Sequence, residues 1–131
     1  MFFFQVSHSK LISGSSWFLS AEKDSPILKT TRDLLYEFWR KNNHLTHYFL
    51  FHYFFKIACD KYNEDYKNIP FFSNIPVHFL QKELYKPFDL LRYKNILSLS
   101  SIHKLTRKHK PKRTQGLLYN HILKEFLSKE K

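Results

Sequence analysis

Three histidines, His44, His47 and His52, fall within a stretch crowded with aromatic rings, LLYEFWRKNNHLTHYFLFHYFFKIAC, running from Leu34 to Cys59. Imidazole changes charge near neutral pH, so such a group could relay protons or ligate a metal. On a helix, His44, Tyr48 and His52 would form a stripe with a four-residue repeat. His44 and His47 share a side only if the helix has already begun at His44. A His-x-x-His metal site needs a third ligand, and no carboxylate stands one turn away. The residues alone therefore favour aromatic-flanked histidines at a helix surface.

Glu22-x-Asp24 is the one close acidic pair that precedes a helix signal. Paired carboxylates can hold a divalent ion that grips a diphosphate. Acids also favour a helix N-terminus without any metal, and this is the reading the residues favour. His103 to Arg113, HKLTRKHKPKR, carries six Lys/Arg and two His. It has no zinc-ligand spacing, recognition helix or RNA-binding aromatic pattern, so nucleic acid is not expected as a partner. A solvated basic segment that touches anionic lipid head groups fits it better. Cys59, the single cysteine, sits on an apolar face as a small core residue and excludes an internal disulfide. No Ser-His-Asp order or Gly-x-Ser-x-Gly elbow occurs. Two glycines are too few for a Gly-rich phosphate loop.

These residues must be positioned by a mainly helical chain. Phe2–Val6 and Trp17–Leu19 are short extended runs, separated by the Ser13-Gly14-Ser15-Ser16 turn. Asp24-Ser25-Pro26 starts a helix, with Ser25 as cap and Pro26 at the first position. Ile27, Thr31, Leu34, Leu35, Phe38 and Trp39 give it one apolar stripe, and Asn42-Asn43 ends it. A second helix runs from Thr46 to about Tyr62, burying Tyr48, Phe51, Phe55, Ala58 and Cys59. Asn63 to Asn68 reads as loop. Ile69 to Pro76 reads as extended, because residues before proline avoid the helical region. Helices follow over Val77–Tyr85, from Asp89 as cap to about Leu99, and over Leu117–Leu127 after Gly116, with Leu118, Ile122 and Phe126 on one side.

The chain has 131 residues, 43% hydrophobic and 18% aromatic, enough for one domain with a real core. Its net charge of +11 is uneven. Residues 1–60 hold 7 Lys+Arg against 5 Asp+Glu; residues 61–131 hold 15 against 6. The surplus in the second half suits an anionic partner. The longest apolar run, Tyr48–Cys59, contains His52 and Lys56 and falls short of the about twenty residues a spanning helix needs. The start, MFFFQVSHSK, makes a poor signal peptide.

The blocks SGSSWFLSAEKDSPILKTTRDLLYEFWRKNNHLTHYFLFHYFF, IPFFSNIPVHFLQKELYKPF and SSIHKLTRK carry a further signal. Together they resemble the capsular polysaccharide synthesis protein family, sugar transferases related to an Asp-x-Asp-containing mannosyltransferase-like group. The resemblance covers roughly residues 11–108. It implies a bacterial, cytoplasmic glycosyltransferase, peripheral at the inner membrane face, taking a sugar from a nucleotide-sugar donor to a glycan or lipid-linked acceptor in capsular or surface polysaccharide biosynthesis. It also implies a divalent metal, Mn²⁺ or Mg²⁺, held by an Asp-x-Asp motif that this sequence lacks. The expected fold is mainly α with a few short N-terminal strands, like the C-terminal part of a GT-A-like α/β domain. Residues 1–108 would form that portion, and residues 109–131 a basic linker and last helix.

By the same resemblance His47 and His52 are the catalytic candidates, although the family pattern tends to have Asp where His47 stands. Ser13, Gly14, Trp17 and Asn74 would line the substrate pocket, and His78 would be a metal or diphosphate ligand. A basic helical module for nucleic acid or anionic membrane is the alternative. So is an inactive remnant whose N-terminal strands lack sheet partners.

Overall fold

A computed structural model describes residues 1–6, 12–106 and 113–129. The chain forms two compact units, Met1–Asn74 and Ile75–Lys131. Among the described residues it is mainly helical, with six α-helices and one two-stranded antiparallel sheet. That matches the expected helix-rich chain with short N-terminal strands.

The first unit is built on its opening phenylalanines. Strand β1, Phe2–Phe3, pairs with β2, Leu19–Ser20, in the register Phe2↔Ser20 and Phe3↔Leu19. The two apolar runs are thus each other's partners. Beyond β1 the backbone also binds a third segment: Gln5 N–H donates to the Phe72 carbonyl at 2.7 Å, and Asn74 N–H to the Gln5 carbonyl at 3.1 Å. Successive side chains of a strand point to opposite faces. Phe3 points inward and is fully buried, its ring edge-on to Phe55 with centroids 5.2 Å apart. Phe2 and Phe4 point the other way, into Phe18, Phe72 and Trp17. Three consecutive phenylalanines are what a strand covered on both faces calls for.

Helix α1, Pro26–Lys41, begins and ends where its proline and asparagine signals put it. Its buried stripe is narrower than the periodicity suggests: Ile27 and Thr31 are buried, whereas Trp39 is exposed. Ser25 makes no capping bond; its hydroxyl faces the Met1 sulfur at 3.9 Å. Helix α2 spans Leu50–Lys61, starting four residues later than expected, and Thr46 and Tyr48 are exposed. Phe55, Ala58 and Cys59 of α2 close the core with Phe3 and Ile27. The polar Asn63–Lys67 segment is a short helix, α3, rather than a loop. Tyr62 and Tyr66 on either side of its start pack on the same core, and that contact outweighs the polar composition.

In the second unit a 3₁₀ turn, Pro76–His78, runs into α4, Phe79–Glu83. Asp89 caps α5, Leu90–Ser98, by accepting the Arg92 N–H at 2.9 Å, as its position predicts. Gly116, with φ of 76°, turns the chain into α6, Leu118–Lys129. The first N–H groups of α6 find carbonyls across the unit: Leu118 donates to Lys86 at 3.0 Å and Tyr119 to Leu84 at 2.8 Å. Leu80, Ile96 and Leu118 form the core, with Phe79, Phe88, Tyr93 and Ile122 against it. Of the three residues expected to share a side of α6, Leu118 is buried while Phe126 is 61% exposed.

The two glycines test different constraints. A Cβ at Gly14 falls within 3.0 Å of two ring carbons of buried Phe3, whereas a Cβ at Gly116 meets open space but on a left-handed backbone. Gly14→Ala should therefore cost about 1–3 kcal/mol through overpacking. Gly116→Ala should cost about 1–2 kcal/mol through backbone strain alone. Urea unfolding at constant m-value measures both. Replacing Phe3 by Leu should relieve the first penalty in the double variant and leave the second unchanged; equal behaviour would refute the packing account of Gly14.

Candidate functional site

The segment between α1 and α2 carries the histidines, and their rings join one cluster. Phe49 lies between the two catalytic candidates, 5.9 Å from His47 and 5.4 Å from His52 by ring centroids. Tyr53 stacks obliquely on His47 at 5.0 Å, and Tyr48 meets Phe49 edge-on at 5.0 Å. His44 stands apart in the loop, its Nδ1 3.0 Å from the Asn43 side-chain oxygen. The His44-Tyr48-His52 stripe does not form, because α2 starts only at Leu50.

The N-cap of α2 is Phe49 rather than Thr46, and His47 braces the turn that leads into it. The His47 carbonyl accepts the Leu50 N–H at 3.1 Å, and the ring Nδ1 accepts the Phe49 N–H at 3.0 Å. An Nδ1 that accepts must be unprotonated, so in the neutral ring the proton sits on Nε2. His47 is exposed and presents a donor. His52, on the first turn of α2, is half-buried among Phe49 and Phe51. Burial pushes its pKa below the usual histidine value, because the low-dielectric surroundings disfavour the imidazolium. Its Nδ1 is buried with no hydrogen-bond partner among the described residues. The two histidines thus differ: one is an exposed donor, the other a half-buried ring with a lowered pKa.

Ser13, Gly14, Trp17 and Asn74 gather elsewhere in the same unit, around β1. Ser13 hydrogen-bonds the Cys59 side chain, and Gly14 lies against Phe3. Trp17 stacks on Phe4 at 5.2 Å with an interplanar angle of 6°. Asn74 donates from Nδ2 to the Ser15 hydroxyl at 3.3 Å. Each has a packing or hydrogen-bonding role in holding the strand. Cys59 is a core thiol, pushed up to about 12 by burial.

A cavity of about 440 Å³ opens at the start of α1, lined in part by Glu22, Asp24, Ser25, Asp65 and Asn68. Asp24 has a left-handed φ of 64° and pairs with Lys29 of its own helix at 3.6 Å. His78 belongs to the second unit, with its Nδ1 3.2 Å from the Gln81 side-chain oxygen. No three His, Cys, Asp or Glu residues among the described ones could together hold a metal ion. The described residues therefore do not fit the divalent metal implied by the resemblance. Arg107, Lys108, Lys110 and Lys112 of the basic run lie outside the described residues. In the second unit His103 has both ring nitrogens buried without a partner among the described residues, a feature that nothing in its sequence context announces.

Two outcomes check these environments. An unfolded chain protonates His52 first as pH falls, so its contribution is complete above about pH 6.5 and lost below it, down to the depressed folded value. His52→Gln should flatten the fall in thermal midpoint over that range, and an unchanged slope would contradict it. Cys59 should react with iodoacetamide at neutral pH only through unfolding, because the thiolate is the reactive form. Labelling of the folded chain at the rate of a free thiol would contradict its burial.

The family model described as "Capsular polysaccharide synthesis protein" matches residues 1–122. Neither the curated proteins nor the solved structures contain a match to this chain. With the match running through both units and across every block that carried the resemblance, the chain belongs to the capsular polysaccharide synthesis protein family.

Proposed function

We propose that this chain acts in glycosyl transfer from a nucleotide-sugar donor during capsular or surface polysaccharide biosynthesis, with the ring cluster at the start of α2 facing the acceptor sugar. The observation that carries the biosynthetic role is the family match over residues 1–122. The reading of the cluster rests on its chemistry. A pyranose presents an apolar face of C–H groups and a rim of hydroxyls. Tyr48, 81% exposed, offers a ring to that face. His47, with its proton on Nε2, offers a donor to a hydroxyl.

Glycosyl transfer needs a base. The acceptor hydroxyl forms a bond to the anomeric carbon as the nucleoside diphosphate leaves with the bonding pair, and the hydroxyl proton must go elsewhere. His52 is assigned that role by its place in the ring cluster, and burial, which lowers its pKa, leaves it unprotonated down to a lower pH than a free histidine. His78, Ser13, Gly14, Trp17 and Asn74 are not needed for this step.

Titration of the chain with capsular oligosaccharides, followed by NMR, tests the reading. The ring protons of His47, Tyr48 and His52 should shift together. Tyr48→Ala should weaken binding about fivefold to tenfold, the worth of one stacked ring. Phe71→Ala, 61% exposed but outside the cluster, should leave it unchanged. Oligosaccharides that bind without moving the cluster would refute the acceptor assignment.

A further inference from the structure

The second unit carries an apolar groove that its own core leaves unfilled. One wall is α6, where Tyr119, Ile122, Leu123 and Phe126 recur at the three- and four-residue spacing of a single helix face. Leu84 and Leu105 line the other side. The walls are tied by backbone and side-chain bonds: Tyr119 N–H donates to the Leu84 carbonyl at 2.8 Å, and the Tyr85 hydroxyl to the Thr106 carbonyl at 3.3 Å. The groove is therefore a fixed feature of this unit. Its mouth is apolar as well, with the lining residues Leu105, Leu123 and Phe126 each 41–61% exposed.

The groove measures about 220 Å³. Pockets that hold ring-containing ligands run from roughly 300 to 1,000 Å³. This one is too small for a nucleotide and too apolar for a sugar, and it suits part of a hydrocarbon chain. Charge selects among surfaces that offer one. Residues 75–131 hold 13 Lys+Arg against 4 Asp+Glu, a net of +9. Lys124 on α6 and Arg113 before it are exposed. Nucleic acid would satisfy the charge but leave the groove and its leucines in water. Anionic lipid satisfies both. Helix α6 has 12 residues, about 18 Å at 1.5 Å per residue, so it can lie in a bilayer surface and not cross one.

We infer that the second unit docks on an anionic phospholipid bilayer, with α6 in the head-group layer and acyl-chain methylenes entering the Tyr119–Phe126 groove. The interaction is reversible and independent of the sugar-transfer reading.

Sedimentation of the full chain with vesicles tests it. Phosphatidylcholine vesicles containing phosphatidylglycerol should bind at least about tenfold more tightly than phosphatidylcholine alone, since each basic residue near an anionic surface adds to affinity. Added salt should weaken the binding. Leu123→Ser and Phe126→Ser, both at exposed positions, should keep the thermal midpoint and reduce vesicle affinity about fivefold to tenfold each. Phosphatidylglycerol spin-labelled in its acyl chain should broaden the methyl signals of Leu105 and Leu123 before those of buried Leu50. Equal binding to neutral and anionic vesicles would overturn the inference. So would full binding by Phe126→Ser, which would leave charge alone as the contact. A dimer that Phe126→Ser dissociates, without vesicle binding by either form, would assign the groove to a second copy instead.

Discussion

Everything in the first unit depends on the burial of Phe3. A pair of two-residue strands forms too few ladder bonds to persist alone. What holds β1 in place is apolar contact on both of its faces. Fully burying a phenylalanine contributes about 1.5–3 kcal/mol. Edge-on ring contact, as between Phe3 and Phe55, adds about 0.5–1.5 kcal/mol. The exposed Lys56–Asp60 pair on α2 contributes about 0.5 kcal/mol or less. The rings win this comparison by a wide margin. Once Phe3 is fixed, Gly14 must pass beneath its ring, Trp17 can lie flat on Phe4, and Gln5 can bind Phe72 and Asn74. Ser13, Gly14, Trp17 and Asn74, which the family resemblance groups as a substrate pocket, are thus brought together by a strand.

Signals acting over one helical turn were legible in the sequence. Pro26 and Asn42 bound α1, Asp89 caps α5 and Gly116 leads into α6, each because a local backbone group needs that residue type. The start of α2 was not legible from Thr46, because the N-cap is Phe49, which offers no capping side chain, and the turn before it is held by the His47 ring and carbonyl. Nor was α3, which owes its order to Tyr62 and Tyr66 packing on a core assembled from distant segments. Periodicity assigned Tyr48 to a buried face and placed Phe126 on one side with Leu118 and Ile122. It reports which residues share a side of a helix, and does not report whether another element comes to cover that side. Both residues are on surfaces that the two units leave open.

The site was legible in its residues and illegible in its chemistry. Residue type picked out three histidines, His44, His47 and His52, and the resemblance narrowed them to His47 and His52, although the family pattern tends to have Asp at the first. Their difference comes from neighbours. A backbone N–H fixes the tautomer of His47, and two phenylalanines lower the basicity of His52. Phe49, the ring that lies between them, carries no reactive group and could be valued only once its position was known.

The uneven charge fits a division of recognition between the units. Residues 1–74 hold 9 Lys+Arg against 7 Asp+Glu, close to balance, while residues 75–131 carry the remaining +9. An uncharged sugar is recognised by stacking and hydrogen bonds, which a strong net field does little to improve. The near-neutral unit is the one with exposed rings beside histidine donors. A lipid surface is recognised by long-range attraction followed by apolar insertion, and both operate only if basic and apolar residues occur together. In the second unit the apolar residues come from α6, with exposed Leu123 and Phe126, and the basic surplus comes from the unit as a whole. Had the basic surplus fallen on the first unit, neither the ring cluster nor the groove would have had the electrostatic setting its chemistry needs.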